Sequence, residues 1–252
     1  MAVKAAMVEE NKLDWSEGVF LVDKPTGMTS FAIVCRIRRL LGIKKVGHAG
    51  TLDPFASGLL IVCVGRPATR QVGLFMAGRK VYQARLQLGV ETTTLDPEGS
   101  VIAIRPVPEL DEAALTACLR RHVGPQMQAP PSFSAAKHKG KPLYVYARQG
   151  VQIEKPAKPI EIFSLKLLGY DAGAGQLEIE VECSRGTYIR VVAADIGQAL
   201  GCGAHLVGLR RIRSGQLTVE DGLPGEELFT DSGPQLLRSQ RRGLAEVLQA
   251  AG

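Results

Sequence analysis

The nine residues QLEIEVECS, Gln176 to Ser184, alternate without a break. Leu177, Ile179, Val181 and Cys183 fall on one side, and Glu178, Glu180 and Glu182 on the other. Successive side chains of a strand point to opposite faces, so this is a strand with one buried and one wetted face. Lys80 to Gly89 follows the same rule, with Tyr82, Ala84, Leu86 and Leu88 sharing the apolar parity. GVFLV near residue 20, LLIVCV near 60, VIAI near 102 and IEIFSLKLL near 164 are further strand candidates. Half-wetted strands of this kind build a mainly antiparallel or mixed sheet.

Three helices interrupt the strands. Thr29 or Ser30 can cap one that carries Ile33, Val34, Ile37, Leu40 and Leu41 on one side and stops at Gly42. Its other side and its end hold Arg36, Arg38, Arg39, Lys44 and Lys45. Asp111 caps a second, with Leu110 placed to staple onto Leu115 and Gly124 expected to close it. Thr187 opens a third, with Ile189, Val192, Ala193, Ile196 and Leu200 inward and Gly201 at its end. Strands with a few interposed helices give an α+β fold: a mainly antiparallel or mixed sheet flanked by helices.

The chain has 252 residues, 45% hydrophobic and 22% charged, which fits one large folded domain and excludes general disorder. The longest aliphatic run, Leu59 to Val64, is far short of the ~20 residues of a membrane helix. The N-terminus lacks an apolar secretory core, so a soluble, cytoplasmic protein is expected. Five cysteines with no CxxC pair read as reduced thiols rather than a disulfide framework or zinc ribbon. The net charge of +6 is compatible with a polyanionic partner without requiring one.

From Gly124 to Pro159 the periodic pattern is lost. Lys137, His138, Lys139, Lys141 and Arg148 interleave there with Tyr144 and Tyr146. A long basic loop bearing aromatics reads as an inserted binding arm; a solvated surface loop is the alternative.

The densest chemistry lies in KKVGHAGTLDPFASGLL, Lys44 to Leu60. Glycines and Pro54 there shape a tight loop that presents one acid, Asp53, from a basic neighbourhood. Pro54 keeps Asp53 extended, and nearby cations are expected to hold it ionised, as a nucleophile or base requires. An ordinary Asp-Pro turn is the other reading, and it is the one given to the second TLDP string, Thr94 to Pro97. None of His48, His122, His138 and His205 has partners at metal-ligand spacing, so no metal site is expected. Arg190 sits in the first turn of the third helix, where a cation opposes the helix dipole; it either pairs with a buried carboxylate or lies exposed over Val191.

In order, VDKPTGMTS (Val22 to Ser30), VGHAGTLDPFASGLL, KVYQARLQLG, PPSFSAAKHKGKPLYVYARQG, CSRGTYIRVVAADIG and GCGAHLVGLRRIRSG resemble the TruB family of bacterial pseudouridine synthases. The resemblance covers most of Gly18 to Gly215. It implies the pseudouridine synthase fold and an RNA isomerase that turns a uridine of the tRNA T-loop, position 55, into pseudouridine. No cofactor and no metal are implied, because the glycosidic bond only moves from nitrogen to carbon of one base. Asp53 would be the nucleophile, acting at the ribose C1′ or through a C2′-deprotonated glycal. Tyr82 would stack on the flipped base and accept a proton, and Arg190 would pair with Asp53. Tyr188 would line the pocket, Leu209 would close its floor, and His48 would fill the space left by the flipped nucleotides. Lys24 and Arg148 complete the expected substrate contacts.

The implied organisation is an N-terminal tail over 1–17 and a catalytic domain over 18–215, with an RNA-binding arm at about 124–159. A short C-terminal tail over 216–252 would follow. Many bacterial members end in a PUA domain; the 39 residues after Arg213 are too few for one, so none is expected. The expected partner is the T-loop and elbow of tRNA, met by a monomer. A chaperone that opens the tRNA elbow is the competing function, and an ionised acid among bases favours the enzyme.

Overall fold

A computed structural model describes residues 17–251. The expected N-terminal tail lies outside the described residues except for Glu17.

The alternating segments become neighbours. The strands are β1 (Gly18–Lys24), β2 (Val46–Ala49), β3 (Ser57–Val64), β4 (Lys80–Leu88), β5 (Val90–Thr92), β6 (Val101–Ile104) and β7 (Gly124–Gln128). They continue with β8 (Lys137–His138), β9 (Lys141–Pro142), β10 (Lys158–Asp171), β11 (Gln176–Cys183), β12 (Ala204–Ser214), β13 (Leu217–Thr218) and β14 (Leu223–Pro224). Among the described residues the main sheet has ten strands, along the path β14-β1-β3-β12-β4-β11-β10-β7, with β2 beside β3 and β13 beside β12. It is mixed: β1/β14 and β3/β12 are parallel, the other pairs antiparallel.

Register explains the burial. Val181 lies opposite Tyr82, Ile179 opposite Ala84 and Leu177 opposite Leu86, so the two apolar parities coincide. On the other face Glu180 meets Lys166 at 2.9 Å and Glu182 meets Arg213 at 2.9 Å. These exposed pairs contribute little stability, about 0–1 kcal/mol each; the buried face carries the energy.

The helices are α1 (Ser30–Leu41), α2 (Gly65–Arg70), α3 (Val72–Ala77), α4 (Glu112–Arg121), α5 (Leu143–Ala147), α6 (Ile189–Ala199), α7 (Gly233–Ser239) and α8 (Leu244–Ala251). Thr29 caps α1, its hydroxyl accepting from the Ala32 N–H at 3.0 Å, and Gly42 ends it in the left-handed conformation. Asp111 caps α4 at 2.7 Å from the Ala114 N–H. That helix closes at His122, two residues before the expected Gly124. Gly124, at φ 114°, instead opens β7. Tyr188, not Thr187, is the N-cap of α6, and no side chain of its own caps it.

Helices α4 and α6 cover the apolar face of β4, β11 and β12, giving one core with Leu86, Leu115, Leu119, Ile179 and Ile196. Helix α1 packs Ile33, Val34 and Ile37 onto Phe20, Leu60 and Val62. The C-terminal residues fold back onto β1. Leu228 and Leu237 join the α1 core, Val247 packs under Leu21 and Ile61, and β14 extends the sheet. Among the described residues no helix is long and apolar enough to cross a membrane.

Two expectations change. VIAI is a strand, but it pairs with β5 in a separate ribbon and leaves Val101, Ile102 and Ile104 exposed. The arm begins later than expected. GPQMQ lacks apolar alternation because β7 is the edge strand of the main sheet, paired to β10 from Gly124 to Gln128. What leaves the sheet is 129–157. Its root is anchored by buried Ser134 and Leu143, and by the Tyr144 N–H donating to the Ser134 carbonyl at 3.1 Å. The stretch 152–157 is irregular and largely exposed. Its amides are therefore expected to exchange roughly a hundredfold or more faster than those of 176–183. Equal protection of the two stretches in a hydrogen-exchange experiment would rule that out.

Candidate active site

Asp53 lies in the loop between β2 and β3, and VDKPTGMTS is what holds that loop. The Leu52 N–H donates to the Ser30 hydroxyl at 2.9 Å, and that hydroxyl donates back to the Leu52 carbonyl at 3.0 Å. On the other side of Asp53, the Pro54 carbonyl accepts from the Gly27 N–H at 2.8 Å. Gly58 has φ 101°, and a Cβ there would fall on the backbone of Arg211, so only glycine lets β12 approach. The acid is fixed by its neighbours at both ends.

Arg190, 3% exposed, gathers four acceptors. Its Nε is 3.0 Å from Asp53 Oδ2, and its Nη1 is 3.2 Å from Asp96 Oδ2. Nη1 also donates to the Thr94 carbonyl at 2.7 Å, and Nη2 to the Phe133 carbonyl at 2.7 Å. The misfit of a cation in the first turn of α6 is thus answered by two carboxylates.

Asp96 corrects the sequence reading. Expected in an ordinary turn, it is 4% exposed and shares Arg190 with Asp53. Its Oδ1 accepts from the Glu98 N–H at 3.0 Å and from the Thr94 hydroxyl. The turn is tight enough to hold Leu95 at φ 62°, a conformation that costs a residue with a side chain of order 1–3 kcal/mol. Both TLDP strings therefore meet at one guanidinium.

Burial pushes the Asp53 carboxyl above the ordinary aspartate range; Arg190 and, more weakly, Lys24 oppose this, and Asp96 adds to it. The expectation that nearby cations hold it ionised omitted this desolvation. The carboxylate stays 35% exposed, toward a cavity of about 250 Å³. Asp53, Tyr82, Tyr188, Arg190 and Leu209 all line that cavity. Burial raises the Tyr82 phenol, which stays neutral beside Arg211.

Arg211 and Lys80 line the cavity too, and neither was singled out from the sequence. Arg211 is buried, donating from Nε to the Leu59 carbonyl at 2.7 Å and from Nη2 to the Gly50 carbonyl at 3.0 Å. Lys80 donates to the Met76 carbonyl at 2.6 Å and to the Gly78 carbonyl; desolvation, then Arg211, brings its amine down to about 8.

Three expected contacts lie elsewhere. Lys24 is fully buried, its ammonium donating to the carbonyls of Pro25 (2.8 Å), Met28 (2.6 Å) and Pro54 (3.4 Å). With its three donors used internally it braces the Asp53 loop. His48 is on β2 with its ring 3.2 Å from the Thr51 hydroxyl, outside the cavity lining. Arg148 closes α5 on the arm, stacked 5.4 Å over Tyr144. Among the described residues no three His, Cys, Asp or Glu side chains gather as metal ligands would.

An acid clamped by arginine, facing a neutral phenol over an apolar floor, suits nucleophilic chemistry on a flat, partly apolar group. Residues 38–189 match the profile of the TruB family pseudouridylate synthase N-terminal domain, and 190–230 that of the tRNA pseudouridylate synthase B C-terminal domain. The chain belongs to the TruB family. It is a pseudouridine synthase, an isomerase. It is 52% identical over 221 residues to the tRNA pseudouridine synthase B of Desulfotalea psychrophila, covering 86% of this chain and 90% of that one. To the tRNA pseudouridine synthase B of Syntrophotalea carbinolica it is 45% identical, covering 91% and 75%. Among solved structures it superposes on a chain of a Cbf5-Nop10-Gar1 complex with a TM-score of 0.69 at 25% identity, covering 96% of this chain and 64% of that one. An archaeal box H/ACA Nop10-Cbf5 complex gives 0.65 at 26%, covering 93% and 62%. The chain thus spans less than two thirds of those solved chains.

Proposed function

We propose that this chain converts a uridine in the T-loop of tRNA, position 55, to pseudouridine, with Asp53 as the nucleophile. The observation that carries the reading is the Asp53 carboxylate, held by Arg190 and lining the cavity that Tyr82 and Leu209 share. The names of the curated relatives support tRNA as the substrate. A base stacked in an RNA loop cannot reach Asp53, so it must be flipped out at a cost of a few kcal/mol. Stacking on Tyr82 replaces part of what is lost, and Leu209 supports the base from below. Phosphate contacts from Arg39, Lys44 and Lys45 at the end of α1 and from Arg148 on the arm offset the rest.

The reaction balances without a second reactant. The C1′–N1 bond breaks with Asp53 assisting at the ribose, the detached base turns within the cavity, and C1′ bonds to C5. The C5 proton leaves and N1 gains one, so nothing is oxidised or reduced. Arg190 stabilises the carboxylate as attacking group and as leaving group.

A wild-type incubation with an unmodified tRNA transcript is expected to give one pseudouridine, at the T-loop uridine, by carbodiimide mapping. No adduct, or adducts spread over other uridines, would defeat the reading. Tyr82→Phe keeps the stacking face and removes the hydroxyl. It is expected to hold tRNA within about threefold of wild type and to lose about 10²–10⁴-fold in turnover, the range for one positioned proton-transfer group. Near-normal turnover would leave Tyr82 as a stacking platform alone.

A further inference from the structure

Gln128 is the last residue of β7, the point where the arm leaves the sheet. It is 6% exposed, in a stretch with no periodic signal. Its carboxamide grips the backbone of Tyr188 on both sides. The Tyr188 N–H donates to Gln128 Oε1 at 2.7 Å, and Gln128 Nε2 donates to the Tyr188 carbonyl at 3.2 Å. A helix N-terminus needs an acceptor for its free N–H groups, and α6 receives one from sixty residues away in sequence. Two residues further, Arg190 donates to the carbonyl of Phe133, five residues beyond Gln128 on the arm. The first turn of α6 is therefore stitched to the arm root twice.

We infer that Gln128 is a positioning residue for the isomerisation: it locks the arm root to α6 and so holds the Arg190 guanidinium against Asp53. The inference rests on the proposed reading of Asp53 as nucleophile. A long arginine side chain with four acceptors keeps one geometry only when each acceptor and its own backbone are fixed. The β5–β6 turn fixes Asp96 and Thr94, and the β2–β3 loop fixes Asp53. Gln128 fixes the backbone from which Arg190 springs and the strand end that carries Phe133. Only a carboxamide offers a donor and an acceptor in one plane for this grip; glutamate would set an anion against the Tyr188 carbonyl.

Asp53 is faced by Arg190 from α6, Asp96 and Glu98 from the β5–β6 turn, Lys24 from β1 and Tyr82 from β4. Arg190 is the cation that most favours the ionised form. Loosening it raises the carboxyl further, so any rate that needs the carboxylate falls off at a higher pH.

The test is Gln128→Met, close in volume but without the grip. Gln87→Met, which loses a 2.9 Å carboxamide bond to the Ala174 carbonyl on the wetted face of the sheet, is the control. Three quantities are read: the NMR titration of the Asp53 carboxyl carbon in the free protein, the single-turnover rate on saturating tRNA transcript across pH, and tRNA affinity by filter retention. Gln128→Met is expected to move the titration and the acid limb of the rate to higher pH together. The plateau rate should fall roughly tenfold or more, since small misplacements of catalytic groups have costs of that size. tRNA affinity stays within about threefold, and the control matches wild type in all three. Weaker tRNA binding with an unchanged plateau rate, or a slower rate with an unmoved Asp53 titration, overturns the inference. Where Gln128→Met does not fold, Gln128→Asn, polar but too short to grip, is expected to shift both in the same direction. Wild-type protein without turnover would instead refute the proposed reaction, and the titration would still decide whether Gln128 acts on the Asp53–Arg190 pair.

Discussion

Asp53→Asn is expected to retain tRNA on a filter as well as wild type and to form no pseudouridine. The swap keeps the shape of the side chain, and the clamps on either side of it, the Ser30 hydroxyl on the Leu52 backbone and the Gly27 N–H on the Pro54 carbonyl, use atoms that the mutation leaves in place. The loop therefore survives. An amide, however, cannot replace a carboxylate as nucleophile, so turnover should vanish rather than weaken. Binding holds because phosphate contacts carry most RNA affinity and a lost anion removes a mild repulsion. Filter retention and carbodiimide mapping on one preparation check both halves; turnover within about tenfold of wild type would remove Asp53 from the role.

Arg190→Ala is expected to damage stability and turnover together. It leaves the buried carboxylate of Asp96 facing Asp53 with no cation between them, and strands the carbonyls of Thr94 and Phe133. Breaking a buried pair from one side typically costs about 3–5 kcal/mol. For a chain of this size that lowers the melting temperature by roughly 10 °C. Arg190→Lys separates charge from geometry: one ammonium cannot reach Asp53, Asp96 and both carbonyls, so it should recover part of the stability and little of the rate. Melting curves beside single-turnover rates decide the matter. An Arg190→Ala protein that melts with wild type would show the two carboxylates to be independent of it.

The sheet was legible because its strands carry a face. QLEIEVECS alternates strictly and KVYQARLQL does so from Tyr82 onward, and their apolar sides meet in register at Val181 and Tyr82. Helix limits were legible where a side chain caps, at Thr29 and Asp111, and misjudged where backbone conformation decides, at His122 and Gly124. Strand β7 was missed because an edge strand of polar residues has no buried alternation to read.

In the candidate site, Asp53 stood out through its loop chemistry, but the same TLDP string at Asp96 read as a turn. Local sequence describes a turn; it does not say which side of that turn faces a buried arginine. The three arginines in GLRRIRSG could not be ranked either. Register shifts in the β12–β4 pairing fall between Arg211 and Arg213 and between Leu206 and Gly208, and such bulges reset which side chains point inward. The resemblance placed Lys24 against the substrate. Three backbone carbonyls supplied by its own loop and by Pro54 took it into the interior instead. Gln128 had no signal at all, since its function depends on a backbone sixty residues away.

The most direct test of the central claim follows the one atom that must leave the base. Pure protein is incubated, in the presence of EDTA, with a tRNA transcript tritiated at C5 of its uridines. Release of one tritium per tRNA, absent when the T-loop uridine is replaced by cytidine and absent with Asp53→Asn, is the predicted result. No release from the intact transcript, or equal release from the cytidine-substituted one, would contradict it.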